Sequence, residues 1–145
     1  MREIMTTIEI AASPERVWRV LTDFASYPKW NPFIRSIEGR LQKGTRLKVR
    51  MQLPGGGEHA FSPVVVKAIP GAELCWRGKL FVNGLFDGEH VFLIVPQGRH
   101  SVRLIQREQF SGWLVLLVML GIAGKTRKGF KEMNRALKNV AEAKP

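Results

Sequence analysis

Three polar residues, His90, Gln106 and Glu108, fall within apolar alternating runs and are the residues of this sequence best suited to chemistry. Because successive side chains of a strand point to opposite faces, Gln106 and Glu108 belong to the face opposite the arginines of their run. That face consists of Val102, Leu104, Gln106, Glu108 and Phe110. His90 holds a similar place in the preceding run, on the face that carries Phe92 and Ile94. The pattern therefore directs an imidazole, an amide and a carboxylate toward an apolar interior.

An internal histidine next to a glutamate has two chemical uses, and the sequence leaves both open. The two side chains can satisfy one another's hydrogen bonds or orient the polar end of a ligand. Alternatively, His90 and Glu108 can act as general acid and base in a proton transfer, which makes them the candidate catalytic residues. We take binding as the first interpretation, because most of the neighbouring interior-facing positions are apolar.

Other motifs with chemical potential are weaker. Cys75 is the single cysteine, so it cannot form an intramolecular disulfide, and it alternates outward from Trp76, as a packing or surface residue would. The stretch 53–57 is rich in glycine but is not followed by Lys-Ser or Lys-Thr, which favours a hairpin turn over a phosphate-binding loop. The histidines are far apart in sequence: His59, His90 and His100. We therefore expect no metal site and no fixed cofactor.

The elements that must position these residues begin with a strand followed by a short helix. Ser13 is a favourable N-cap and Pro14 suits the first helical position, so the helix is predicted to begin at about Pro14. Its apolar face repeats at helical spacing: Val17, Val20, Leu21 and Phe24. Because Pro28 and Pro32 interrupt the next stretch of chain, residues 24–30 are predicted to form a second short helix.

The middle of the chain has the pattern of an antiparallel meander. Turn residues separate six strand-like runs at intervals of about 11–15 residues, as glycine, proline and Asn-Gly pairs do between hairpin strands. The predicted strands are 32–39, 45–53, 58–69, 72–81, 85–95 and 100–111. With the N-terminal strand they make seven.

The C-terminal part is predicted to form one long helix over residues 113–141. Its first half, 113–122, is apolar all round but too short to span a bilayer, and its second half is amphipathic. Gly121 and Gly124 are expected to bend this helix or to let another backbone approach it. Two interpretations of the apolar run stay open: packing against the sheet, or contact with lipid or a partner.

The 145 residues are expected to form one domain, 1–145, and to carry a formal net charge of +11. The basic residues are scattered and alternate with apolar ones, which indicates the solvated outer face of a sheet. Attraction to anionic lipid, nucleic acid or an acidic protein remains an alternative, although no nucleic-acid-binding motif is present. Since the N-terminus lacks the pattern of a signal peptide, we expect a cytoplasmic protein, with the inner face of the membrane as an open contact.

With these elements in place, the sequence resembles the START-like superfamily, also called SRPBCC. This superfamily contains polyketide cyclases and dehydrases, Bet v 1-like plant allergens and lipid-transfer START domains. The resemblance extends over nearly the whole chain. It rests on four stretches: Ala12-Ser13-Pro14-Glu15-Arg16-Val17-Trp18 with Leu21-Thr22-Asp23, Tyr27-Pro28-Lys29-Trp30-Asn31-Pro32, Gly88-Glu89-His90-Val91-Phe92 and Glu108-Gln109-Phe110-Ser111-Gly112.

The resemblance implies an α+β helix-grip fold, in which a curved antiparallel seven-stranded sheet wraps around the long C-terminal helix, with two short helices after the first strand. It also implies a deep apolar cavity for a hydrophobic or amphipathic small molecule, which is lipid-, polyketide- or quinone-like. Combined with alternation, it gives the expected ligand-binding residues: Trp30, Leu47, Val49, Met51, Trp76, His90, Phe92, Gln106, Glu108 and Trp113. The alternatives are a cyclase, aromatase or dehydratase that uses His90 and Glu108, and a peripheral membrane adaptor.

Overall fold

The computed structural model describes residues 2–80, 86–111 and 115–143, and describes side chains for 3–78, 87–111 and 123–143. The helices are α1, Pro14–Thr22, α2, Tyr27–Trp30, and α3, Val115–Glu142, with a 3-10 turn at Phe24–Ser26. The strands are β1, Arg2–Ile10, β2, Ile34–Glu38, β3, Lys48–Gln52, β4, Glu58–Phe61, β5, Val64–Ile69, β6, Glu73–Leu80, β7, Phe86–Pro96, and β8, Val102–Ser111. This order confirms the predicted helix-grip fold.

Helix α1 begins where the sequence predicts. The Ser13 hydroxyl accepts a hydrogen bond from the backbone N–H of Arg16 at 3.1 Å, and Pro14 occupies the first turn, where its missing N–H costs nothing. Val17, Val20 and Leu21 are buried on one face. The second predicted helix is divided into the 3-10 turn and α2, so that the chain turns sharply before it enters β2.

The strands form two antiparallel sheets. The larger has the order β1-β8-β7-β6-β5 and the smaller the order β2-β3-β4. The described residues contain eight strands where seven were predicted, because the run 58–69 is divided into β4 and β5 at Pro63. A proline has no N–H for a strand ladder, so the chain leaves one sheet there and enters the other. The Pro63 carbonyl still accepts from Leu47 N at 2.8 Å, which holds the two sheets together at this corner.

The outer face of the large sheet carries the predicted alternating charges, and several are paired across strands. Arg77 of β6 lies opposite Glu89 of β7, with their charged atoms 2.7 Å apart. Arg103 of β8 lies opposite Glu9 of β1, at 2.6 Å. These exposed pairs contribute modestly to stability, on the order of 0.2–1 kcal/mol each. They keep the charged face outside and thereby set which side chains of the same strands point inward.

Helix α3 packs its amphipathic half against the sheet through buried residues, which are Phe130, Met133, Leu137 and Ala141. Gly129 provides the close approach on this helix, since a Cβ there would lie 2.3 Å from the Phe33 ring. The expectation that Gly124 serves this purpose is wrong, because Gly124 is exposed and nothing lies within 4 Å of where its Cβ would be. The surroundings of Gly121 and the side chains of 113–122 lie outside the described residues.

The C-terminal end of α3 is bonded to the start of the chain. Arg16 donates from its guanidinium to the carbonyls of Val140, at 3.1 Å, and Ala141, at 3.4 Å. Glu142 accepts from the backbone N–H of Ala11 at 2.7 Å and from Lys138 Nζ at 2.6 Å. Arginine thus caps carbonyls that the helix itself leaves without partners. These bonds seat α3 against β1 and α1.

Candidate functional site

The register of β7 and β8 places His90 directly opposite Glu108 on the inner face of the large sheet. His90 Nδ1 lies 3.0 Å from Glu108 Oε2, and His90 Nε2 lies 2.9 Å from Gln106 Oε1. The structure therefore brings together the three polar residues that the sequence singles out. Their inward direction follows from the alternation on each strand, with no bulge between them in the β7–β8 pairing.

Three aromatic rings surround the His90 imidazole. The ring of Phe92 stacks on it with the centroids 4.6 Å apart, Phe130 lies at 5.0 Å and Trp76 at 5.2 Å. The three rings therefore hold the imidazole of His90 in one orientation. Trp76, Phe92 and Gln106 were all predicted as lining residues, and all are buried here.

The polar site extends beyond the predicted residues to α3 and β1. Gln106 Nε2 donates to Asn134 Oδ1 at 2.7 Å and to the carbonyl of Phe130 at 3.4 Å. Asn134 Nδ2 donates to Thr6 Oγ1 at 2.8 Å, and the Thr6 hydroxyl donates to the backbone carbonyl of Gln106 at 3.3 Å. A continuous chain of buried hydrogen bonds thus joins Thr6 to His90, whose Nδ1 contacts Glu108.

Sequence reasoning missed Asn134 and Thr6, although a pattern in the sequence marks both. Asn134 comes four residues after Phe130 and so shares the apolar face of α3, where an amide needs a buried partner. Thr6 interrupts an inward face of β1 that otherwise carries isoleucines, namely Ile4, Ile8 and Ile10. Each is a single polar residue on an apolar face, which is the feature that first identified His90 and Gln106.

Glu108 is the member of this cluster that solvent reaches. Its side chain is 22% exposed, although the residues on either side of it on the same face, Gln106 and Phe110, are buried. Gly88, on the neighbouring strand, leaves the room that the carboxylate occupies, since a Cβ at Gly88 would lie 2.7 Å from Glu108 Oε1. The inner face of the sheet is therefore open to solvent beside this carboxylate.

The remaining predicted lining residues fall into three groups. Leu47 and Val49 are buried, and Met51 is half-buried and packs against the same core. Trp30 is at the end of α2, where its ring packs on Tyr27 with the centroids 5.1 Å apart. Trp113 lies outside the described residues. Among the described residues, Trp30 makes no ring contact with the aromatic residues around His90.

Trp30 lines an open groove instead, with a volume of about 520 Å³, between α1, α2 and the C-terminal end of α3. Other residues that line it are Arg16, Arg19, Asp23 and Val140. Arg16 and Asp23 are already occupied, by helix carbonyls and by Ser26 respectively. The groove is lined by residues of the helices and of the turn between them, whereas His90 and Glu108 lie on β7 and β8.

Two other groups with possible reactivity are held protonated by their surroundings. Burial and the nearby negative charge of Glu89 raise the pKa of the Cys75 thiol to about 12, which disfavours the nucleophilic thiolate. Burial, with a smaller effect of Asp23, raises the pKa of the Tyr27 phenol well above its usual range. The Tyr27 hydroxyl donates to the Leu21 carbonyl, so it serves to tie α1 to the next turn.

Comparison with known protein families identifies the family of this chain. A family model described as polyketide cyclase/dehydrase and lipid transport matches residues 1–142. The chain belongs to this family. The assignment confirms the START-like resemblance and supports a role in hydrophobic-ligand binding or cyclisation. A search of curated proteins found no match.

Solved structures with the same fold include members of biosynthetic pathways. Zhui aromatase/cyclase from Streptomyces sp. R1128 is 15% identical with a TM-score of 0.77, over 97% of this chain and 93% of that one. Norcoclaurine synthase from Thalictrum flavum, in complex with dopamine and hydroxybenzaldehyde, is 18% identical with a TM-score of 0.73, over 99% and 88%. The di-domain aromatase/cyclase BexL of the BE-7585A pathway is 11% identical with a TM-score of 0.75, over 99% of this chain. The chain spans 48% of BexL, and identities this low carry the fold alone.

Within the described parts of the chain, no helix combines the length and apolar character needed to cross a bilayer. The same residues contain no cluster of three or more His, Cys, Asp or Glu side chains that could hold a metal ion.

Proposed function

We propose that this protein binds a hydrophobic or amphipathic small molecule on the inner face of the large sheet, with the polar end of the ligand at Glu108. The observation that carries the proposal is a carboxylate that solvent reaches on a face whose described side chains are mostly buried and apolar. Small-molecule sites combine apolar surface, which supplies affinity, with a few polar groups that fix orientation. The family and its lipid-transport description support the same role.

The packing of the described core limits where such a ligand would lie. The rings of Phe92, Phe130 and Trp76 contact His90 directly, so the space among them is filled. The ligand would instead approach Glu108 from the side that solvent reaches, next to Gly88. Its apolar part would replace water at that end of the sheet.

The test is direct detection of a ligand. Protein purified from cells is examined by native mass spectrometry, and the unliganded protein is titrated with the fluorescent apolar probe N-phenyl-1-naphthylamine. We expect a retained apolar molecule or saturable probe binding. Gly88→Leu should weaken this binding at least about tenfold, because its side chain takes the room of the Glu108 carboxylate and displaces that group. Gly57→Leu, at an exposed hairpin position where nothing lies within 4 Å of where its Cβ would be, serves as the control. Absence of both retained ligand and saturable binding would contradict the proposal.

A second candidate function is catalysis of the cyclase, aromatase or dehydratase kind. The specific observation is the 3.0 Å contact between His90 Nδ1 and Glu108 Oε2, which is suited to proton transfer. If this function holds, Glu108→Gln abolishes turnover of a poly-β-keto substrate and leaves the fold intact. Glu89→Gln, on the outer face of the neighbouring strand, is the matched control and should retain turnover. Equal turnover in both variants would exclude the acid/base role.

A third candidate is a peripheral association with the inner face of the membrane, in a cytoplasmic protein. It is favoured by a group of exposed cations on α3: Lys125, Arg127, Lys128, Lys131 and Arg135. Basic surface residues attract anionic lipid by about 1 kcal/mol each near the surface. Co-sedimentation with phosphatidylserine vesicles should decrease with salt and with Lys128→Glu/Lys131→Glu, but not with Lys43→Glu/Lys48→Glu on the β3 side. Equal loss in both variants, or no binding at low salt, would dismiss it.

A further inference from the structure

The hydrogen-bond partners of Gln106 determine which way its amide points. Its Nε2 lies 2.7 Å from Asn134 Oδ1 and 3.4 Å from the Phe130 carbonyl oxygen. An amide NH₂ has two hydrogens to donate, which matches these two acceptors. The reverse orientation would set the side-chain oxygen of Gln106 against two acceptor oxygens in a buried site, Asn134 Oδ1 and the Phe130 carbonyl, and would leave it with no donor from either. Gln106 Oε1, a pure acceptor, therefore faces His90.

The direction of this amide determines the protonation of His90. Since Gln106 Oε1 only accepts, His90 donates to it from Nε2 over 2.9 Å. A neutral imidazole with its hydrogen on Nε2 has a bare lone pair on Nδ1, and Nδ1 lies 3.0 Å from Glu108 Oε2. Two lone pairs that face each other at this distance repel, and a proton between them removes the repulsion. We infer that the pair holds one shared proton, on the imidazole or on the carboxyl group, and is neutral as a whole.

Glu108 Oε1 is the open polar atom of the pair. Both imidazole nitrogens are engaged, and Glu108 Oε2 faces His90. Oε1 has no hydrogen-bond partner among the described residues, while the Glu108 side chain is reached by solvent. In both positions of the shared proton, Oε1 offers a lone pair and no hydrogen. A ligand that enters beside Gly88 meets this acceptor.

Resting on the proposed binding function, we propose that the site takes a ligand whose polar end carries an uncharged O–H or N–H donor, such as an alcohol or phenol, and discriminates against carboxylates. An O–H group replaces its water partner with Glu108 Oε1, a strong acceptor in a partly desolvated place. A ligand carboxylate would lose water on entry and bring a second acceptor to the same lone pair.

The shared proton is tested by NMR of the ¹⁵N-histidine-labelled protein at pH 7. We expect the His90 Nε2 to be protonated in the wild type. In Glu108→Gln, whose amide can donate to Nδ1, His90 should be neutral with its hydrogen on Nε2 alone. The exposed His59 and His100 provide internal references in the same spectrum. A His90 that carries hydrogen on Nδ1 and none on Nε2 would overturn the assignment of the proton and, with it, the neutrality of the pair.

The ligand class is tested with three compounds that share one apolar body: 2-naphthol, 2-methoxynaphthalene and 2-naphthoate. Titration should show 2-naphthol binding about tenfold or more tightly than 2-methoxynaphthalene, with 2-naphthoate the weakest. In Glu108→Gln the preference for 2-naphthol should shrink severalfold, and 2-naphthoate should bind more tightly than in the wild type.

The outcomes separate this inference from the function on which it rests. Equal affinities for the three compounds, unchanged by Glu108→Gln, would leave the apolar site standing and overturn the donor preference. Tighter binding of 2-naphthoate than of 2-naphthol would overturn it as well. No binding of any of the three compounds, together with no retained ligand and no N-phenyl-1-naphthylamine binding, would remove the proposed function itself.

Discussion

The Gln106 side chain makes hydrogen bonds through both its amide nitrogen and its amide oxygen. The nitrogen donates to Asn134 and to the Phe130 carbonyl, and the oxygen faces His90. Because buried polar groups lose water on folding, each of these bonds matters mainly through the cost of removing it. Asn134 therefore helps to set the orientation of the Gln106 amide, and through this amide the orientation of His90.

This argument predicts the effect of removing the amide of Asn134. Asn134→Leu removes one of the two hydrogen-bond partners of Gln106 Nε2 and one of the two of Thr6 Oγ1. We expect it to lower the free energy of unfolding by about 1–3 kcal/mol. Urea denaturation measures the change. Asn139→Leu, at an exposed position of the same helix, should change stability by less than about 0.5 kcal/mol. Equal effects of the two substitutions would show that the Asn134 hydrogen bonds do not stabilise the protein.

The protonated state of Cys75 gives a second prediction at this scale. With a pKa of about 12, the thiol should react with 5,5′-dithiobis(2-nitrobenzoate) at pH 8 far more slowly in the folded protein than in guanidinium chloride. The absorbance of the released thiolate measures the rate. Rapid stoichiometric reaction of the folded protein would contradict both the burial and the raised pKa of Cys75.

The directions of individual side chains were largely predictable. Alternation along β7 and β8 correctly predicted that His90, Gln106 and Glu108 point inward, because a sheet with one charged face leaves its other face for the core. The partners from α3 and β1 were not predictable in the same way. Contact between Asn134 and Thr6 depends on how α3 is rotated and displaced along β1, which no local pattern specifies.

At the scale of elements, the two glycines of α3 with described surroundings have opposite roles. Gly129→Ala places a Cβ 2.3 Å from the Phe33 ring, so we expect a loss of about 1–3 kcal/mol in the free energy of unfolding. Gly124→Ala adds a better helix former where nothing lies within 4 Å, and should stabilise by about 0.5–1 kcal/mol. Thermal denaturation of both variants checks the signs. A stabilising Gly129→Ala would mean that Phe33 and α3 are not in close contact.

The element boundaries show where sequence reasoning succeeds and where it ends. Ser13 and Pro14 specify the start of α1 by local chemistry alone, and that prediction is confirmed. Pro63 also acts locally, by removing a donor, but its consequence is global. The division of one predicted strand between two sheets depends on which neighbours are available to Val64 and Phe61, and those come from distant parts of the chain.

At the scale of the whole molecule, Glu142 connects α3 to Ala11, the residue that follows β1, and should make stability depend on pH. The hydrogen bond from Lys138, and then that from the Ala11 N–H, lower the pKa of Glu142 below its ordinary value. A lowered folded-state pKa contributes stability above the unfolded-state pKa of about 4.3, and this contribution is lost as the pH falls through the folded value. Because Glu142 is exposed, we expect about 0.5 kcal/mol.

The prediction is tested by comparing Glu142→Gln with the wild type. The variant should be less stable at pH 7, and the difference should vanish as the pH is lowered well below 4. Denaturant unfolding at several pH values gives the curve. Glu132→Gln, an exposed acid on the same helix, should show no such convergence. A difference that is constant from pH 7 to acid would contradict a role for the ionised Glu142 carboxylate.

The hydrogen bond between Asn134 and Thr6 joins residues 128 positions apart. Contacts so distant in sequence form slowly, since a long loop must close before they can contribute stability. During synthesis, the strands that carry His90 and Glu108 leave the ribosome well before α3 is complete. His90 can therefore acquire its final orientation only after α3 has been translated, so nascent chains that end before α3 should contain the strands of the site without its complete hydrogen-bond network.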